Sequence, residues 1–182
     1  MQIKAVTVFC GSKPGANPQY EKDAARLGKL IAEAGLKLIY GGGNKGLMSA
    51  VANAALQNGG SVTGVMPQML IEWEQQHTGL TELIITDTIH QRKKLMYELC
   101  DAAIVLPGGY GTLDELFEML TWNNLRIHNK RIFLLNTSSY YKHLEAHIQN
   151  IEAENFAYRK SKNHIVFSDT PEALMNSIND SC

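Results

Sequence analysis

Basic excess is the first thing this 182-residue chain lacks: 17 Lys and Arg face 18 Asp and Glu, a formal charge of −1. That balance argues against a general nucleic-acid or membrane-surface binder, because both classes usually carry a cationic surplus. Cysteine is scarce and odd in number, with Cys10, Cys100 and Cys182 too widely spaced for a disulfide framework. Cys10 and Cys100 adjoin apolar stretches and read as small buried hydrophobes. No run approaches the ~18 apolar residues of a membrane span. The opening MQIKAVTVFCGS has too short an apolar stretch for a signal peptide and reads as a first strand. The closing NDSC is no prenylation box, since its Cys is last. These absences together point to a cytoplasmic location.

What is present is apolar and alternating. Hydrophobic residues make up 45% of the chain and charged residues 19%, enough for one domain, 1–182, with a real core. Strands are expected at 3–9, 36–40, 61–66, 83–86, 102–106, 131–135 and 165–168. Helices are expected at 19–34, 47–58, 90–100, 112–125, 140–154 and 171–179, the last opened by Thr170 as N-cap and Pro171 at its first position. Short strands that are apolar nearly throughout fit a mainly parallel sheet with helices on both faces. The expected fold is therefore α/β, Rossmann-like and doubly wound. Residues 67–82 form the longest irregular stretch, a length typical of a binding lid.

Glycine marks three strand ends: CGS after the first, YGGGNKG after the second and PGGYGT after the fifth. Ligands of such folds sit beyond these ends. A backbone-lined pocket around Gly11, Ser12, Gly42, Gly43, Gly108 and Gly109 is the expectation. Gly41, Gly43 and Gly46 satisfy GxGxxG, but the acidic residue that would confirm a dinucleotide site is missing, because the next strand runs into Pro67 and Gln68. Neither loop has the GK-[ST] of a Walker A motif. PGGYGT can still hold an anion through bare N–H groups at a helix N-terminus, without any lysine. Arg92 and Lys93 in IHQRKKLM are either a solvated cationic face or part of that site. Glu115 has two readings as well, since Thr112-x-x-Glu115 is a capping-box pattern and the same carboxylate could serve chemistry. Asp114 reads as a first-turn acid. His143 and His147 lack the glutamate placement of a zinc motif and read as a polar helix face.

The combination of GGGNKGLMSAVANAAL, the pair in HQRK and PGGYGTLDE resembles the LOG (Lonely guy) family, over nearly the whole chain from FCGS to TPEAL. That family consists of cytokinin riboside 5′-monophosphate phosphoribohydrolases with a Rossmann-like fold. Some members carry the label "lysine decarboxylase", yet nothing in the sequence suggests pyridoxal chemistry. The resemblance implies that Arg92 and Glu115 are catalytic. It implies that Glu74, Lys93, Thr121 and the loop residues Gly109, Tyr110, Gly111, Thr112, Leu113 and Asp114 contact a nucleoside 5′-monophosphate. It implies no cofactor and no metal, and a homodimer with the helix at 116–126 near the interface. The chain departs from the family at Ser49, where GLMG is common, and in the lid MLIEWEQQHTG, where Glu72 rivals Glu74 and Trp73 adds apolar surface. The rival readings are a non-catalytic nucleotide-binding module and a dinucleotide-dependent oxidoreductase.

Overall fold

Strand residues sort alternately onto two cores. Val6, Val8, Ile104, Phe133 and Leu135 belong to one cluster, and Phe9, Ala103, Val105, Ile132 and Leu134 to the other. This is the period-two signature of a sheet buried on both faces. The computed structural model describes residues 2–71, 75–158 and 164–180. Its strands are β1 (Ala5–Phe9), β2 (Lys37–Tyr40), β3 (Val62–Pro67), β4 (Glu82–Thr86), β5 (Ala102–Val105), β6 (Ile132–Leu135) and β7 (Ile165–Ser168). They form one seven-stranded sheet in the order β4-β3-β2-β1-β5-β6-β7, and every pairing is parallel. The strand order reverses between β1 and β5, so the crevice beyond those two strands is the expected ligand site.

Among the described residues six helices cover the sheet: α1 (Gln19–Glu33), α2 (Gly46–Gln57), α3 (Ile89–Leu99), α4 (Tyr110–Asn124), α5 (Lys142–Ala153) and α6 (Pro171–Asn179). Helix α1 buries Ala24, Leu27, Gly28 and Ile31, the i, i+3, i+4, i+7 stripe of a helix lying on a core. It shares one face of the sheet with α2 and α6, while α3, α4 and α5 cover the other. Each fully buried Leu, Ile or Phe in these clusters stabilises the fold by about 1.5–3 kcal/mol. At the opposite end of the sheet, one Asp101 carboxylate oxygen accepts from the backbone N–H of Lys4 (2.7 Å) and Ala5 (2.9 Å), tying the start of β1 to that of β5.

Helix starts separate the expectations that hold from one that does not. Thr170 caps α6 as expected, its Oγ1 accepting from Ala173 N at 3.2 Å, with Pro171 behind it. The capping box expected at Thr112 and Glu115 is absent. Helix α4 begins at Tyr110, two residues before the expected start, with Gly109 as its N-cap and no side-chain cap, so Thr112 and Glu115 both lie inside the helix. A true capping box stands at α3 instead. Thr88 Oγ1 accepts from Gln91 N (3.1 Å) and Gln91 Oε1 accepts from Thr88 N (3.2 Å). That box holds the first turn of α3, immediately before Arg92.

Candidate active site

The glycine-bearing ends of β1 and β5 meet directly. Gly11 N donates to Pro107 O at 3.0 Å, and Gly11 O accepts from Leu47 N of α2 at 3.1 Å. A cleft of about 400 Å³ opens here, lined by Gly11, Ser12, Lys13, Gly108, Gly109 and the rings of Tyr20 and Tyr140 among others. Tyr140 packs edge-on against Tyr20 (5.6 Å between centroids) and donates its hydroxyl to Gly108 O at 2.6 Å. The topological switch point is therefore a real crevice, as the strand ends imply.

The glycines of PGGYGT do different jobs. A Cβ on Gly108 would sit 2.1 Å from Thr112 Oγ1 and 2.9 Å from Gly11 N, so this bare position lets two strand-end loops and α4 pack together. At Gly109 and Gly111 nothing lies within 4 Å of where a Cβ would stand, so those backbones face open space and can be approached. Tyr110 is almost fully exposed, Thr112 is buried, and Leu113 and Glu115 are half-buried.

The second glycine loop departs from the expectation of an open backbone. Gly42 and Gly43 are buried, because residues 75–77 lie across them. His77 N donates to Gly42 O (3.0 Å), Asn44 N donates to Gln75 O (2.8 Å), and Gly43 bridges Gln76 in antiparallel fashion. The His77 ring is fixed as well: Gly79 N donates to Nδ1 (3.0 Å), leaving Nε2 to donate to Asn53 Oδ1 (2.9 Å). Asn53 in turn donates to Ser49 Oγ at 2.9 Å, which gives the Ser49 departure a physical role. Burial lowers the pKa of His77. The polar groups of this loop are spent on the lid segment, a use that glycine spacing alone does not reveal. Glu74, Glu72 and Trp73 lie outside the described residues.

Arg92 is not a solvated face. It is 9% exposed, and its Nη2 donates to Gly41 O at 3.3 Å. Lys93 is 7% exposed and ion-paired to Asp114 (2.9 Å) and Glu118 (3.0 Å) of α4. Burial works to lower its pKa, but hydrogen bonds and charge from the two carboxylates outweigh that and raise it. Thr121 stands apart. Its hydroxyl donates to Phe117 O (2.7 Å), and it lines a separate groove between α4 and α5 with Phe117, Leu120, Ile148 and Phe156. Lys13, Tyr20 and Tyr140 are cleft residues that no sequence motif marks. Only the glycine loops signal the site, and nothing local distinguishes these three side chains. Cys10 and Cys100 are buried, and burial pushes the Cys100 thiol up to about 11. Among the described residues no group of three His, Cys, Asp or Glu is placed to hold a metal ion, and no helix is long and apolar enough to cross a membrane.

A parallel sheet with glycine-bare strand ends at its switch point, and a buried guanidinium on the glycine that follows the neighbouring β2, defines a Rossmann-like fold with a crevice where such folds take ligands. Comparison with known proteins narrows the class. A family profile described as "Possible lysine decarboxylase" matches residues 48–178. A cytokinin riboside 5′-monophosphate phosphoribohydrolase of Rhodococcoides fascians is 44% identical over 176 residues, spanning 96% of this chain and 89% of the relative. One from Arabidopsis thaliana is 38% identical, spanning 98% and 82%. The chain belongs to this LOG family. A solved molybdenum cofactor binding protein from Rippkaea orientalis superposes with a TM-score of 0.74 at 24% identity, spanning 100% of this chain and 98% of that one, a likeness of fold. Lys93 is no candidate for a Schiff base, which needs a lysine of depressed pKa, because it is ion-paired to two carboxylates that raise its pKa.

Proposed function

We propose that this protein hydrolyses the N-glycosidic bond of nucleoside 5′-monophosphates, AMP or its N6-substituted cytokinin forms, releasing free base and ribose 5-phosphate. The observation that carries the reading is the buried guanidinium of Arg92 on Gly41 O after β2, in a sheet whose β5 end leaves glycine backbone open at Gly109 and Gly111. Homology to relatives named for this activity supports it. The 5′-phosphate would bind the open N-terminus of α4, where first-turn N–H groups and the helix dipole favour an anion. Lys13, on the cleft wall, would add charge. Glycosidic cleavage develops positive charge on the ribose, an oxocarbenium-like state. Glu115 would stabilise that charge and orient the attacking water, and Arg92 would hold the substrate through its guanidinium fork. The reaction needs neither cofactor nor metal.

A homodimer in the cytoplasm completes the reading. The surface around α4 exposes Phe117, Leu125, Ile127, Phe156 and Tyr158, an apolar set suited to a second copy and adjacent to Thr121. The test is incubation of the purified protein with AMP, isopentenylated AMP, other nucleotides and adenosine, with identification of the released bases and sugar. Release of adenine or its N6-substituted form with ribose 5-phosphate, undiminished by chelator, is expected, with adenosine a poor substrate. Binding of AMP without turnover would instead mark a non-catalytic nucleotide module.

A further inference from the structure

The geometry points to Glu118 as a positioning residue that, through Lys93 and Tyr97, holds Arg92 of α3 in place opposite the Glu115 turn of α4. The inference rests on the hydrolase reading above and deepens it. Lys93 follows Arg92 directly, and Tyr97 lies four residues further along the same side of α3. Glu118 lies three residues after Glu115, one turn along α4. Its Oε2 accepts from both Lys93 Nζ (3.0 Å) and Tyr97 Oη (2.7 Å). Two further contacts flank this hub: Lys93 Nζ donates to Asp114 Oδ2 at 2.9 Å, and Tyr97 Oη lies 3.3 Å from the carbonyl of Glu115 itself.

The donors have little freedom. The Tyr97 ring is 1% exposed and wedged edge-on between Phe9 of β1 (5.9 Å) and Trp122 of α4 (4.9 Å), so its hydroxyl is aimed by packing. Burial, then the hydrogen bond to Glu118, raises the Tyr97 pKa and keeps the hydroxyl a donor. Lys93 has three N–H donors, and two are committed to carboxylates. A lysine so engaged is better suited to bracing two helices than to contacting the nucleotide, the task that family resemblance gives it. Groups that place reacting atoms act on kcat more than on KM, since misplacement by about 1 Å can cost on the order of 10²-fold in rate.

Steady-state kinetics with AMP on the full chain, with thermal unfolding alongside, test the assignment. Glu118→Gln keeps the side chain's shape and removes its charge, and kcat should fall about tenfold or more with KM little changed. Tyr97→Phe keeps the ring and deletes only the hydroxyl, so it folds and should lower kcat in the same sense. Combining Glu118→Gln with Lys93→Met should cost no more than the worse single change, as expected for members of one network. Wild-type kcat in Glu118→Gln and Tyr97→Phe, with only the melting temperature lowered, would overturn the positioning role. So would a Lys93→Met variant that raises KM at constant kcat while Glu118→Gln is silent, since Lys93 would then be a phosphate ligand. A wild-type protein that turns over no nucleotide overturns the proposed function and this inference together. An active wild type with silent variants overturns the inference alone.

Discussion

Arg92 and Gly41 occupy one another's space: Nη2 of the guanidinium is 3.3 Å from the glycine carbonyl, and a Cβ on residue 41 would stand 1.9 Å from that nitrogen. The first glycine after β2 is thus bare for the sake of an arginine 51 residues away. Gly41→Ala should displace the guanidinium, which is the flexible end of a side chain, and leave the fold largely intact. Turnover is expected to fall at least about tenfold with only a small change in melting temperature. Unchanged kinetics would mean that Arg92 does not need this seat.

Charge alone will not replace Arg92. Arg92→Lys keeps the cation but loses the planar fork, so most activity should disappear while the fold persists. Near-normal rates would remove Arg92 from the site.

Glu115 is the sharpest test of mechanism, and the structure has simplified it. Because Gly109 caps α4 without a side chain, Glu115 is not part of the helix cap, and its replacement disturbs no capping box. Glu115→Gln should lower turnover by about 10²–10³-fold, the usual worth of a preorganised electrostatic group, while AMP still binds. Calorimetric binding with wild-type turnover would show the mechanism to be wrong.

Thr88 supplies the cap that Thr112 does not. Thr88→Ala should destabilise the protein by about 1 kcal/mol through loss of the α3 capping box, measurable by denaturant unfolding. Thr112→Ala should show no loss attributable to capping, because Thr112 is the third residue of α4.

Mild acid should weaken the fold through two buried histidines. His77 has a lowered pKa through burial, and His128 is lowered to about 4 by burial and then by the charges of Lys130 and His164. Between the unfolded value of about 6.5 and these folded values, the unfolded chain binds more protons. The stability these neutral rings contribute is therefore fully present above about pH 6.5 and declines as pH falls through the window toward 4. Protonating Nδ1 of His77 would also break the bond from Gly79 N. Melting temperatures recorded from pH 7 to pH 4 should fall, and His77→Gln should flatten part of that slope.

Much of this molecule was legible before folding. Short runs that are apolar nearly throughout, alternating with helical stretches, located the seven strands and six helices of the described residues to within a few positions, because burial on both faces leaves such runs in the local sequence. Alternation of strands and helices pointed to a doubly wound, mainly parallel sheet, and the glycine-bearing ends of β1 and β5 do meet at the crevice. The motifs that hold Arg92 and Glu115, to which the proposal gives the chemistry, could be read because each is contiguous. What each motif touches was decided only in three dimensions. T-x-x-E looked like a cap, but α4 starts at Tyr110 with Gly109 as its N-cap, and Thr112 packs instead against bare Gly108, which also abuts Gly11. Gly42 and Gly43 looked open, but residues 75–77 cover them through backbone hydrogen bonds that side-chain spacing does not encode. Lys93 read as a solvated cationic face or part of the anion site, and the fold pairs it with Asp114 and Glu118 by bringing α3 beside α4. Pairings between residues far apart in the chain depend on sheet order and helix packing, and those are properties of the whole fold.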